Sequence, residues 1–439
     1  MLRILAIILT GILTSFYFFP FEFAFLPGAN TKMIMAGLGL VILVVNMARG
    51  QRPAMDKDFF QLSLCAIGVS LSGLISVTLN DTHDYTYASY IVSMWVWLGG
   101  AYTVIQVMRR VHGGVSIELV ANYLIAVCVA QCVIAFTMDQ YAPLKQFVDS
   151  FLASEGFMGK VEDRIYGIGA SLDVAGMRFA AVLTIIISLC MRLESTDTKK
   201  MWLYIISFSV IVVIGNMIGR TTTVGAGIAL CYALLCAMWG GKKKTTLGLF
   251  WKYIFVEVII LIPIVVYLYN TNVAIHNNLR FAFEGFFSLW EKGKWQTNSN
   301  SILADMFIFP DNVKTWLIGD GYFDNPFYAN IDPYFIGEVT GGFYKGTDVG
   351  YCRFLFYFGL MGLGAFMFFM YRAMQICWNR FGSYRIMFLI ILVLNYIVWV
   401  KVSSDLFLVF AIFLCISKEE NDEYELKRQL EIQELENGR

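Results

Sequence analysis

Charge is what this sequence has least of. Lys, Arg, Asp and Glu make up only 15% of its 439 residues, while hydrophobic residues reach 58% and aromatic residues 16%. A soluble domain carries about 25% charged residues, so the composition excludes one and identifies an integral membrane protein. The formal net charge is zero and the charges fall in short clusters between apolar runs; no broad basic surface offers itself to nucleic acid. Histidine occurs three times, at His83, His112 and His276, with no metal-ligand spacing among them. The nine cysteines lie in or against apolar segments without a CxxC pair, which argues against a disulfide framework or a zinc site. A Gly-rich nucleotide loop and a Ser/His/Asp or Cys/His order are also missing. No metal and no cofactor are expected.

What the chain has instead is apolar length. A helix needs roughly 17 to 25 apolar residues to cross the hydrocarbon core, and about twelve runs qualify, near 3–20, 33–48, 59–79, 89–108, 115–137, 171–191, 201–218, 221–239, 251–269, 349–371, 384–400 and 402–417. The expected fold is all-α and polytopic, with nine transmembrane helices in residues 1–269, a large outer loop at 270–347, three further helices in 348–417 and a charged tail at 418–439. The first run has Arg3 before it but no small-x-small cleavage site after it, so it is kept as a helix. Neither a fixed-period repeat nor inverted halves are visible. The outer loop mixes aromatic and polar residues and should fold against the membrane surface.

Lys and Arg collect in alternate loops: Arg49, Arg52 and Lys57; Arg109 and Arg110; Arg192, Lys199 and Lys200; Lys242 to Lys244; Arg372, Arg380 and Arg385. Cytoplasmic loops hold such excess, so both termini are expected in the cytoplasm and the tail reads as a solvated helix. The arginines that break the pattern, Arg164, Arg178, Arg220, Arg280 and Arg353, would then face outward. Bland readings stand beside each. Arg220 can snorkel to the interface, Arg178 can pair with Asp173, and Arg164 and Arg280 can be surface residues. The guanidinium fork pairs bidentately with phosphate, so a lipid-linked pyrophosphate fits an outer arginine cluster.

Asp348, where the polar loop meets the tenth run, is a candidate general base or, with Thr347, a helix cap. On a helix it would share a face with Tyr351 and Cys352, and Arg353 would point about 140° away. Asp320 in WLIGDGYF is a rival base, with a tight turn as its bland reading. Glu257 is embedded in the ninth run near its cytoplasmic end and stays outside the site.

The segments RIYGIGASLDVAGMRFAAVL, GNMIGRTTTVGAGIAL, WLIGDGYF and TDVGYCRFLFYFGLMG, in this order around a large outer loop, resemble the polytopic O-antigen polymerases of bacterial surface-polysaccharide assembly, relatives of the O-antigen ligases. The resemblance implies an inner-membrane glycosyltransferase with its active site facing the periplasm. It would use glycan on undecaprenyl pyrophosphate as donor and the next lipid-linked repeat unit as acceptor, and need neither metal nor nucleotide. Its partners would be those lipid-linked substrates, membrane lipid and, in some members, a chain-length regulator. By the resemblance, Arg220 and Arg280 hold the pyrophosphate, with Arg164 or Arg178 assisting; Asp348 as catalytic base and Arg353 as a substrate-binding residue are inferred from their place at the loop–helix junction and are not carried over. Ligases carry a histidine where this chain has Asp348, and the departure favours a polymerase. A ligase acting on a lipid A core or a protein is the alternative; a non-enzymatic lipid-glycan transporter is the alternative of another class.

Overall fold

The chain was analysed as a computed structural model that describes residues 2–50, 57–153, 164–194, 196–239, 244–325 and 342–437. Arg52, Lys242 and Lys243 lie outside the described residues. The helices in order are α1 (Leu2–Phe18), α2 (Thr31–Ala48), α3 (Lys57–Asn80), α4 (Tyr90–His112), α5 (Ile117–Gln140), α6 (Ala142–Phe151), α7 (Leu172–Cys190), α8 (Thr198–Ile218) and α9 (Thr221–Trp239). They continue with α10 (Lys244–Thr271), α11 (Val273–Ala282), α12 (Glu284–Lys292), α13 (Asn298–Asp305), α14 (Val313–Ile318), α15 (Gly350–Arg380), α16 (Arg385–Val398), α17 (Phe407–Leu414) and α18 (Lys418–Asn437). Among the described residues there is no strand, only isolated bridges, so the protein is all-helical. Eight of the described helices are long and apolar enough to cross a membrane, and three shorter apolar ones cover Leu2–Phe18, Thr221–Cys236 and Gly382–Val398.

Polar contacts sort the connections to two ends of the bundle. At the basic end Arg380 pairs with Asp58 at 2.7 Å, Arg109 with Glu420 at 2.6 Å and Lys200 with Glu118 at 3.9 Å. The start of α18 docks there, with Asn421 Oδ1 accepting from the Ile117 N–H at 3.0 Å and Arg428 on Glu118 at 3.0 Å. The tail is therefore tied to the bundle over its first turns rather than freely solvated. At the opposite end Asp84 accepts from the Phe323 N–H at 2.7 Å, and Asn272 donates to Gln140 at 2.9 Å.

Two expected spans are broken. The tenth bends at Gly359, whose φ of +64° lies in the left-handed region that glycine alone enters without strain. The bend folds the helix back: the rings of Phe354 and Phe366 are 5.4 Å apart, whereas twelve residues of straight helix would separate them by about 18 Å. Trp399 touches both, at 5.0 and 4.9 Å. Carbonyls freed at the bend need donors, and the Gly319–Gly321 turn supplies them. The Asp320 N–H donates to Phe356 O at 2.6 Å and the Gly321 N–H to Tyr357 O at 3.1 Å.

The twelfth expected span is not one helix. Residues 399–406 are non-helical, and α17 has only eight residues, all buried, about 12 Å against a hydrocarbon core of about 30 Å. Irregular backbone between membrane helices persists only where protein satisfies it. Here Tyr87 donates to Ser403 O at 3.1 Å, Trp399 Nε1 to Ser404 O at 2.8 Å, and Tyr17 to Leu408 O at 2.7 Å, while Asn395 Oδ1 accepts from the Leu406 N–H at 2.8 Å.

Candidate functional site

Each of these breaks ends in a polar residue, and the ends meet. Helix α7 opens with Asp173 in its first turn; α8 and α9 are separated by Gly219 and Arg220; Lys401 and Ser403 sit in the irregular segment after α16; Asp348 immediately precedes α15. Close approach of α7 and α9 depends on glycine, because a Cβ on Gly225 would lie 2.2 Å from Ala180 Cα and one on Gly219 2.3 Å from Leu172 O.

Asp173 is the hub. Lys401 Nζ lies 2.9 Å from its Oδ1, Thr221 Oγ1 donates to the same oxygen at 2.7 Å, and Arg164 stands 4.0 Å from Oδ2. Arg164 and Arg220 share the Phe281 ring, with guanidinium carbons 4.9 and 4.3 Å from its centroid. Burial lowers the pKa of Arg164, with Asp173 opposing the shift and Arg220 adding to it. Arg220 is paired with Glu284, which also accepts from the Asn298 N–H at 3.0 Å. Its side chain is only 15% exposed and its Nε is buried without a hydrogen-bond partner. Arg220 therefore does not snorkel outward; it is held inside the mouth of the bundle by the outer loop.

Asp348 faces this cluster. The charges it feels are those of Arg353, Asp173 and Lys401, and burial pushes its carboxyl up to about 6, with Arg353 and Lys401 pulling down and Asp173 pushing up. Asp348 does not cap α15, whose N-cap is Val349 with no side-chain cap bond, while Thr347 Oγ1 accepts from the Val349 N–H at 3.3 Å. The helical phase argument also fails, because Asp348 precedes the first turn. Tyr351 instead donates to Tyr396 O at 2.8 Å and Cys352 is buried.

Arg353 stands on the neighbouring wall. It pairs with Asp324 at 2.5 Å, donates to Ser403 Oγ at 2.9 Å and Phe323 O at 3.2 Å, and lies 3.7 Å from the Phe323 ring centroid. Those contacts anchor the outer loop over the half-helix 350–358. Its Nε is buried and unpartnered.

Two expected members lie apart. Arg280 is 42% exposed and turns to Glu291 at 2.9 Å, with Phe287 beneath it at 5.1 Å; none of its described contacts reaches Asp173, Arg220 or Asp348. Arg178 does not pair with Asp173, which Lys401, Thr221 and Arg164 already occupy. It lies five residues further along α7, 5.8 Å from the Phe19 ring and 5.9 Å from that of Trp97. Asp320 accepts from Thr315 at 2.6 Å and Tyr344 at 3.2 Å, which fixes the turn. Glu257 accepts from Ser209 at 2.8 Å between α8 and α10.

Sequence reasoning missed Lys401, Asp173, Phe281 and Glu284 as members of the cluster. Lys401 does carry a signal: it is a lone cation between two apolar runs, away from the basic loops. Glu284 and Phe281 carried none, because only folding of the loop brings them under Arg220.

The arrangement suits an anion beside a base. Helices α7, α9 and the half-helix 350–358 present their N-termini toward the cluster, where partial positive charge accumulates, and Arg164, Arg220 and Lys401 add full charges. Among the described residues no group of three or more His, Cys, Asp or Glu is placed to hold a metal ion. Comparison of the chain with family models, with curated proteins and with solved structures returns no match.

Proposed function

We propose that the protein is a glycosyltransferase of surface-polysaccharide assembly. It moves a growing glycan from undecaprenyl pyrophosphate to the next lipid-linked repeat unit at the periplasmic face of a bacterial inner membrane, with about twelve membrane segments and both termini cytoplasmic. The observation that carries this reading is Asp348, a half-buried carboxylate with no hydrogen-bond or ion-pair partner among the described residues, its carboxyl pushed up to about 6 by burial against the pull of Arg353 and Lys401. A carboxylate tuned toward neutrality next to a cationic, helix-N-terminal pocket is what a general base beside a pyrophosphate leaving group requires.

In this mechanism Arg164, Arg220 and Lys401 bind the donor pyrophosphate. Asp348 takes the proton from the acceptor hydroxyl as its oxygen attacks the anomeric carbon. The bond from that carbon to the phosphate oxygen breaks, its electron pair leaves with undecaprenyl pyrophosphate, and the cations stabilise the charge. A single displacement inverts the anomeric centre, as in inverting glycosidases. Absence of a histidine at position 348 favours the polymerase over the ligase. Cations gathered at one mouth, instead of polar residues spread along several spans, favour an enzyme over a transporter.

Deleting the gene and running the surface polysaccharide on a gel tests the reading. A polymerase gives single repeat units on the acceptor. Full-length chains retained on the carrier lipid would mean a ligase, and loss of all external glycan a transporter.

A further inference from the structure

Arg178 is the least explained charge in the molecule. It is 7% exposed, its Nε is buried without a partner, and no hydrogen bond from its guanidinium is found among the described residues. An unpaired buried guanidinium is costly and in a membrane protein marks a site. Its companion is Lys32, at the start of α2, whose ammonium lies 5.0 Å from the centroid of the same Trp97 ring that Arg178 faces at 5.9 Å. Two cations thus flank one indole, and Lys32 feels the charge of Arg178.

Their counter-charges are incomplete. Asp405 lies within electrostatic reach of both, but it accepts from the Phe407 N–H at 2.8 Å and from Tyr90, and among the described residues it closes no ion pair with either. Glu22 acts on Lys32 more weakly than Asp405 does. Tyr17, edge-on to Trp97 at 5.7 Å, spends its proton on Leu408 O. Among the described residues, the buried Nε of Arg178 therefore keeps a donor that no acceptor meets.

A second observation says what kind of molecule brings the acceptor. Met33, Ala36, Gly37 and Leu40 of α2 and Val96 and Leu98 of α4 line a groove of about 970 Å³. Met33 follows Lys32 in sequence, Ala36 lies one turn on, and Val96 and Leu98 bracket Trp97. Along α2 the groove runs from Met33 to Asn46, about 20 Å, and Leu40 is 62% and Val92 61% exposed beside it. The apolar stretch of the groove starts at Met33, next to Lys32 in sequence, and its far end is lined by Asp58, Arg109, Arg380 and Lys418 at the basic end of the bundle; an apolar stretch that starts beside a cation suits a chain with an anionic head.

We infer that Lys32 and Arg178 form a second anion site, separate from the Arg164–Arg220–Lys401 cluster, which takes the phosphate of a polyprenyl lipid whose chain lies in the α2–α4 groove. The inference rests on the proposed function, in which donor and acceptor are both lipid-linked pyrophosphates and two head-group sites are needed at once. Arg178 lies five residues beyond Asp173 in α7, about 7.5 Å along the helix and about 140° around it, which turns the two heads to different faces while leaving both under the same mouth.

Native mass spectrometry of the full-length protein titrated with undecaprenyl phosphate counts the sites directly. The expected result is two bound lipids for the natural protein. Lys32→Gln and Arg178→Gln should each weaken one of the two at least tenfold, Arg220→Gln should weaken the other, and Arg178→Lys should retain both. Lys32 is half-exposed at a helix start, so its variant reports on binding even if Arg178→Gln fails to fold. Unchanged stoichiometry and affinity in Lys32→Gln would overturn the site. Equal occupancy by phosphatidylglycerol would make it a bilayer-phospholipid site, and full competition by inorganic pyrophosphate alone would show that the groove contributes nothing; either overturns the polyprenyl assignment. Two-site binding in a protein that elongates no glycan leaves this inference standing and removes the polymerase reading instead.

Discussion

Replacing Asp348 by Asn should make the protein more stable and nearly inactive. The carboxyl is moved from the ordinary value near 4 to about 6, with burial as the main cause. At about 1.36 kcal/mol per pH unit the displacement corresponds to about 3 kcal/mol, reduced to roughly 1–2 kcal/mol because a half-buried group is partly screened by solvent. The sign follows from linkage. Between pH 4 and 6 the folded protein holds this proton and the unfolded chain does not, so stability falls as pH rises through that window and stays lower above it. Asn removes the cost at neutral pH, and a thermal melt in detergent should shift upward. Activity should move the other way, by roughly 10²- to 10⁴-fold, if Asp348 accepts the hydroxyl proton. In the natural protein kcat/KM should rise with pH about a midpoint near 6, since about 10% of the carboxyl is ionised at pH 5 and about 90% at pH 7. The assay is chain elongation on lipid-linked repeat units in proteoliposomes, read by gel ladder from pH 5 to 8. A flat profile, or full elongation by Asp348→Asn, would refute the reasoning.

The neighbours of Asp348 provide opposite controls: Lys401→Gln should move the acidic limb to higher pH and Asp173→Asn to lower pH, and equal profiles from both would show that these charges do not act on the base. Arg220→Gln should lower elongation at least a hundredfold at unchanged expression, whereas Arg280→Ala, which loses an exposed pair with Glu291, should stay within about threefold; a reversed order would move the pyrophosphate to the Arg280 side. Gly225→Val should force α7 and α9 apart at Ala180 and cost about 1–3 kcal/mol or more, seen as a lower melting temperature.

The tenth and twelfth runs show how far hydropathy reaches. Both are apolar enough to read as spans, and window averages cannot register a single glycine at φ +64° or an eight-residue helix surrounded by protein on all sides. The bend at Gly359 is legible only together with the Gly319–Gly321 turn that satisfies its carbonyls, some forty residues earlier. Asp348 was singled out from its place at a polar-apolar junction, and its uncapped state needed coordinates. Arg178 lies five residues after Asp173, about 140° around α7, and tertiary packing decides that one meets Trp97 and the other Lys401.

What the sequence determined by itself was the solvent, the helical class and the segregation of basic loops from a small set of stray arginines, because these follow from composition and from local spacing. What only the tertiary structure decided was which of those arginines meet. Lys401, Asp173, Arg164 and Arg220 come from segments up to 237 residues apart, taken from their numbers in the chain, and only packing of broken helices brings them under one mouth with Asp348, since charge pairing at 3 to 4 Å is fixed by long-range contacts that no local pattern encodes.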